Sequence, residues 1–368
     1  MADMLQVLDA TGKPPKAVGL EPADLRSMYR AMLATRLFDA RGMNLQRQGR
    51  IGFFVPSMGQ EASQVGTAYA APKEDWIYPS YRTHSIAILR GVPWKTLYDQ
   101  LYGNATDLVK GRQMPNHFSL RAFNLVSVSS PIGTQITQAA GTARAAQIRG
   151  DKVCTWVYFG DGGTSEGEFH AGLNFAGVWK APCVFVCENN HWAISVPEEK
   201  QTASATFADK AVAYGMRGVR VDGNDVLAVH QVAREARERA MAGEGPTLIE
   251  SVTFRMGPHS SSDDPKRYQA PELLEAWKKK DPILRFQAYL KTRRLWSEAW
   301  EKELTESINA EIAAAVEAAE QTPPPPVETL FTEVYEVMPP HVAEQLEAVR
   351  DQIRRTGAIE DGGGKFPL

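Results

Sequence analysis

Gly160-Asp161-Gly162-Gly163 closes an apolar run, and Asn189-Asn190 follows with Asn190 29 positions after Asp161. A carboxylate, an amide and the backbone carbonyls of a tight loop are hard donors that suit Mg rather than zinc or copper. Mg is seldom held in an all-protein cage and keeps positions for water or phosphate oxygens. Gly160, Gly162 and Gly163 let a backbone come close to phosphate beside the start of a helix, where N–H groups point outward. These residues therefore predict a diphosphate held through Mg. The competing reading is a plain strand-to-helix turn capped by Asp161, which is all that a lone Gly-Asp-Gly would usually mean. Tyr81-Arg82 follows a short strand, and an arginine fork suits phosphate. Ser129 to Gln135 clusters hydroxyls and carbonyls that suit either a cation or a helix cap. The loop at 255–265 is too polar for core and carries His259.

The elements that must position these groups read as one βαβ unit. Residues 153–159 form a near-continuous β-rich run, as expected of a strand buried on both faces. A helix opens at Ser165-Glu166-Gly167-Glu168 and carries Leu173, Phe175, Ala176 and Trp179 on its apolar side. Pro182 then introduces a second strand at 183–187. Parallel strands joined this way place both loops at their carboxyl ends, where open α/β sheets bind ligands.

Elsewhere, a helix begins at residues 21–24 with Leu25, Met28, Met32 and Leu33 at helical spacing, and another spans 61–71. Residues 51–60 are loop-like yet apolar, and 104–130 is a long irregular stretch of the kind that usually binds something. A strand at 218–222, a helix at 225–242 capped by Asn224, and a strand at 247–254 continue the alternation. Helices fill 281–320. The fold class is α/β: a doubly wound, mainly parallel sheet with helices on both faces, plus a helical C-terminal segment. The expected division is an arm at 1–20, a diphosphate-binding domain at 21–322, and a Pro-rich linker with an appended segment and Gly-rich tail at 323–368.

Composition narrows less. The 368 residues carry 41 Lys+Arg against 44 Asp+Glu, net −3, so nothing points to nucleic acid or an acidic membrane. Three cysteines, Cys154, Cys183 and Cys187, fit no zinc spacing and read as buried reduced thiols. No signal peptide or membrane span is visible, and a cytoplasmic protein is expected.

In the segment GDGGTSEGEFHAGLNFAGVWKAPCVFVCENNHWAISVP, GDG followed by NN looks like the thiamine-diphosphate fingerprint. The segment resembles the alpha subunits of the decarboxylating first component of 2-oxo acid dehydrogenase complexes, a likeness running from about Leu20 to about Thr322. The resemblance implies a thiamine-diphosphate-binding fold in which Asp161, the Asn190 side chain and the Trp192 main-chain carbonyl ligate Mg. Gly162 and Gly163 would belong to the cofactor loop, Tyr81 and Arg82 would meet the diphosphate, and Ser130 and Ile132 would add cofactor contacts. His259 would stand near the diphosphate as a catalytic residue, in a loop that also meets the lipoyl-bearing acyltransferase. Some branched-chain members hold potassium at the positions of Ser129, Pro131, Thr134 and Gln135. Glu188 stands where some relatives have an arginine, which puts one phosphate contact in doubt.

The family's pyrimidine-activating glutamate comes from a separate beta subunit, in a heterotetramer of two alpha and two beta chains. Glu61 and Glu166 of this chain suit that task by type alone. The sequences SEGEFHAGLNFA and PHSSSDDPKRY look more like branched-chain enzymes, so 2-oxoisovalerate is the first expected substrate. An apolar pocket near Phe53, Phe54 and Tyr81 would suit it. Pyruvate is the second reading and acetoin the third, and a catalytically inactive scaffold subunit is the alternative from another class.

Overall fold

The computed structural model describes residues 4–9, 11–13 and 19–356. The main sheet is built from β1 (Trp76–Tyr78), β2 (Thr155–Gly160) and β3 (Cys183–Asn189). A small antiparallel hairpin follows, β4 (Trp192–Ala193) and β5 (Val196–Pro197), before the sheet resumes with β6 (Arg217–Asp222) and β7 (Thr247–Val252). The five main strands are all parallel, in the order β1-β2-β3-β7-β6. Alternate residues face two cores. Trp156, Tyr158, Val184, Val186 and Ile249 pack on the side of α1 (Pro22–Arg47), α2 (Glu61–Tyr69) and, after β6, α7 (Val226–Met241). Val157, Phe159, Cys183, Phe185 and Leu248 pack on the side of α5 (Thr134–Arg149) and α6 (Gly167–Trp179). This two-sided covering is why the strands read as unbroken apolar runs. All three cysteines are buried free thiols, and burial pushes their ionisation up.

The remaining helices complete the layer on the α1 side and the C-terminus. α3 (Ser85–Leu89) and α4 (Trp94–Tyr102) follow β1; α8 (Pro271–Lys278), α9 (Pro282–Thr292) and α10 (Glu298–Glu320) follow β7. Leu304, Ile308, Ile312 and Val316 of α10 share the core of α1. α11 (Thr329–Thr332) and α12 (Pro340–Thr356) lie beyond the prolines at 323–326. None of the described helices is long and apolar enough to cross a membrane.

Two local expectations change. The helix after Asp161 starts at Gly167, because residues 161–165 form a 3-10 turn. Its buried stripe is Phe169, Gly172, Leu173 and Ala176, a 3.6-residue repeat that leaves Phe175 49% exposed and stacked on Trp179. The cap of α7 is Asp225 rather than Asn224: its carboxylate accepts from the N–H groups of Leu227 and Ala228. Asn224 instead donates to the Lys280 carbonyl and accepts from Thr253. The arm is anchored where it is described. Leu5 bridges Val221 at the edge of β6, and Leu8 is buried. The Gly-rich tail lies outside the described residues.

Candidate functional site

The register of β2 and β3 brings the two marker residues to one end of the sheet. Gly160 pairs with Glu188, so Asp161 and Asn190 leave neighbouring parallel strands at their carboxyl ends. A cavity of about 370 Å³ opens there. Its wall takes Tyr81 and Arg82 from the end of β1, Gly160 to Gly163 from β2, and Glu188, Asn190 and Trp192 from β3 and the hairpin. His259 comes from the loop after β7. Ile132, Ala193, Ile194 and Val196 supply apolar surface. A few polar groups converging in a mainly apolar cleft are the usual make-up of a cofactor site.

Asp161 is 1% exposed. Its Oδ2 accepts from Gln201 Nε2 at 2.5 Å, while Oδ1 is buried with no hydrogen-bond partner among the described residues. Burial pushes the carboxyl above its usual range, against the pull of Gln201. Such a carboxylate calls for a proton or a cation. The Asn190 Oδ1 accepts only from the Trp192 N–H, at 3.1 Å, which leaves one lone pair, and its Nδ2 donates to Gln60 Oε1 at 3.2 Å. The Trp192 carbonyl accepts one long bond, 3.4 Å, from Arg255 Nη1. No group of three or more His, Cys, Asp or Glu converges among the described residues, so the donors on offer are carboxylate, amide and carbonyl oxygens. That set fits a hard divalent ion sharing its sphere with phosphate.

Two of the three glycine expectations acquire a different cause. A Cβ on Gly162 would lie 2.8 Å from the Ala193 Cβ, and one on Gly163 3.1 Å from the Ile132 carbonyl. These glycines admit the hairpin and the 129–133 loop. Gly160 has open space around it, which suits close approach of a ligand. The hairpin is strained at Ile194, a β-branched residue at φ 56°. Arg255 Nη2 holds that residue's carbonyl at 2.6 Å.

Arg82 lines the cavity, and Arg255 lies behind the wall against the Trp192 and Ile194 carbonyls. Arg82 and Arg255 are 5% and 1% exposed, and their hydrogen-bond partners among the described residues are carbonyls, the His259 ring and the Tyr268 hydroxyl rather than carboxylates. Arg82 donates to the Pro56 carbonyl and, at 2.8 Å, to the His259 carbonyl. Burial and the neighbouring Arg82 lower the Arg255 guanidinium to about 10. Two buried cations that repel each other fit an anion such as diphosphate. His259 is held down to about 3 by burial and by the charges of Arg82 and Arg255. It is therefore neutral. With Nδ1 3.1 Å from Arg82 Nη2, the ring nitrogen that keeps its hydrogen is Nε2. Asp263 orders this loop by accepting from the His259 N–H and the Tyr268 hydroxyl, each at 2.6 Å.

Other expected residues are placed less directly. Ser130 is exposed and bonded to His117 Nε2 at 2.5 Å; the cavity wall takes Ser129 and Ile132 instead. Of the residues matching the potassium site, Ser129 and Gln135 reach the wall, Pro131 is exposed and Thr134 begins α5. Gln135 Nε2 donates to the Tyr158 carbonyl at 3.0 Å, and its Oε1 is buried without a partner. Phe54 lies wholly in the core against Phe38, and neither it nor Phe53 lines the cavity, whereas Tyr81 does. Glu61 is consumed by Arg36 at 2.5 Å and the Gly59 N–H at 2.9 Å, and Glu166 stands outside the wall. Sequence reasoning passed over Gln60 at the end of an apolar loop and Gln201 and Arg255 in polar ones, since a single polar residue there carries no pattern. It read Glu188 only as a missing arginine. That side chain is a buried acid in the wall, and burial raises it to about 8 against the pull of Gln64 and Arg82.

Residues 29–328 match the model of the dehydrogenase E1 component family. The chain is 43% identical over 354 residues to the pyruvate dehydrogenase E1 component subunit alpha of Staphylococcus aureus, covering 95% of this chain and 93% of that protein. It is 46% identical over 324 residues to the protein of the same name from Bacillus subtilis, covering 88% and 85%. Both names carry the substrate placed second by the sequence motifs, not the branched-chain one placed first. On both counts, this chain belongs to the dehydrogenase E1 component family, among the alpha subunits of 2-oxo acid dehydrogenases.

Proposed function

We propose that the chain is the thiamine-diphosphate- and Mg-binding alpha subunit of a pyruvate dehydrogenase. In this reading it works with a beta subunit, as two alpha and two beta chains, and passes an acyl group to the lipoyl group of an acyltransferase. The observation that carries the reading is the pairing, in one cavity wall, of a buried Asp161 carboxylate oxygen without a partner among the described residues and the buried Arg82 guanidinium, whose partners there are carbonyls and His259. Asp161 Oδ1, Asn190 Oδ1 and the Trp192 carbonyl would hold the ion. Arg82, with Tyr81 beside it, would receive the diphosphate. When bound, the cofactor supplies the nucleophilic carbon for the 2-oxo group and the sink for the electrons left by carbon dioxide. The protein's part is positioning and electrostatics. Neutral His259 presents an N–H donor, and Ile132, Ile194 and Val196 supply apolar surface to the cleft.

The two acids in the wall are Asp161 and Glu188, and the second lies back against Gln64 of α2. The carboxylate that serves the pyrimidine is accordingly assigned to the beta subunit. The buried Gln135 Oε1 supports potassium at the 129–135 loop. Pyruvate is preferred on the names of the relatives, and of the three residues expected near an acyl pocket Tyr81 alone lines the cavity.

Co-expression with the beta subunit tests this directly, with an artificial electron acceptor and pyruvate or 2-oxoisovalerate as substrate. The expected result is a kcat/KM for pyruvate at least about tenfold higher, the scale on which an apolar pocket tells methylenes apart. Equal or reversed preference would refute the pyruvate assignment. The isolated alpha chain should show no appreciable decarboxylation, and robust turnover by it would refute the two-subunit reading.

A further inference from the structure

Gln201 sits in a polar loop after the hairpin and has no place in the ligand set above. Its Nε2 donates to Asp161 Oδ2 at 2.5 Å and to the Val196 carbonyl of β5 at 3.0 Å. Both amide hydrogens are therefore used, one on the carboxylate and one on the hairpin that brings Ala193 against Gly162 and carries the Trp192 carbonyl. The other carboxylate oxygen, Oδ1, is buried and unpaired among the described residues.

We propose that Gln201 is a positioning residue for the metal site: it clamps the Asp161 carboxylate to the β4–β5 hairpin so that Oδ1 alone faces the ion. The inference rests on the reading of Asp161 as a metal ligand. A carboxylate on a single Cα–Cβ–Cγ stem swivels, and fixing one oxygen fixes the direction of the other. The donor must also be neutral. A lysine or arginine in this position would orient Asp161 equally well but would cancel the charge that attracts a divalent ion and repel the ion itself. An amide orients without either penalty. Its two hydrogen bonds also tie Asp161 to Val196 of β5, the strand paired with the one that carries the Trp192 carbonyl.

The test uses the complex with the beta subunit, thiamine diphosphate present, and Mn(II) binding read by electron paramagnetic resonance. Gln201→Leu keeps the volume and removes the donor; Gln201→Lys keeps a donor and adds charge. Each should raise the Mn(II) dissociation constant about 10–100-fold, the usual effect of losing a group that orients a metal ligand, with Gln201→Lys the weaker binder. Saturating metal should restore the kcat of Gln201→Leu, which a general defect in folding would not allow. Wild-type Mn(II) affinity in either variant overturns the proposal, as does a kcat for Gln201→Leu that excess metal leaves depressed. Asp161→Asn separates the two levels: if it too binds Mn(II) normally, the metal-ligand reading fails; if it alone loses the ion, only the clamp fails.

Discussion

Removing a guanidinium from water costs several kcal/mol unless an anion or strong acceptors receive it, and Arg82 and Arg255 are both withdrawn from water here. Carbonyls of Pro56, His259 and Ile194 receive part of that demand. The remaining positive field falls on His259. Its folded ionisation near 3 lies below the ordinary histidine value of 6.5, so between those pH values the unfolded chain binds the extra proton. The stability contributed by neutral His259 is thus complete above 6.5 and is lost as the pH falls toward 3. An NMR titration of the ring should find it neutral down to about pH 4, and bound pyrophosphate should raise its midpoint by supplying negative charge. A midpoint at 6 or above in the ligand-free protein would contradict this account. The sequence made Asp161, Asn190, Arg82 and His259 legible because their types and spacing are unusual together. Gln201 and Arg255 were illegible: a polar residue in a polar loop announces nothing until the fold brings it beside a buried partner.

At the scale of elements, strands covered on both faces could be read almost to the residue, since burial on each side forces consecutive apolar positions. Helix entries were harder, because neighbouring residues of cap-forming type compete. Asn224 and Asp225 both qualify, and the decision lies with the N-terminal segment, which only the folded chain brings near. Asp225 accepts not only from Leu227 and Ala228 at 3.1 Å but also from the N–H groups of Val7 at 2.7 Å and Leu8 at 2.5 Å. Asp225→Ala should therefore cost more than a simple cap, at least about 2 kcal/mol, by stranding buried donors on two segments. A urea unfolding series would measure it, and a loss below about 0.5 kcal/mol would show that the arm does not depend on this carboxylate. The hairpin makes a similar point. Gly162→Ala would set a Cβ 2.8 Å from that of Ala193 and displace the strand carrying the Trp192 carbonyl. The expected outcome is weaker metal binding with little change in the sheet, measured by Mn(II) affinity alongside circular dichroism. Unchanged affinity would mean that the hairpin does not set the site.

For the whole molecule, the parallel sheet delivers the ends of β1, β2, β3 and β7 to a single cavity, which is how residues from position 81 to 259 meet. The mouth of that cavity exposes Ile194 and Val196, 58% and 43% accessible, apolar surface that a beta subunit would cover. The measurement that most directly tests the account is a crystal structure of the alpha–beta complex grown with thiamine diphosphate and Mn(II), with anomalous scattering used to locate the metal. We predict one peak within about 2.0–2.3 Å of Asp161 Oδ1, Asn190 Oδ1 and the Trp192 carbonyl together, as hard-cation coordination requires. A peak bonded to none of these three, or metal bound only elsewhere, would contradict it.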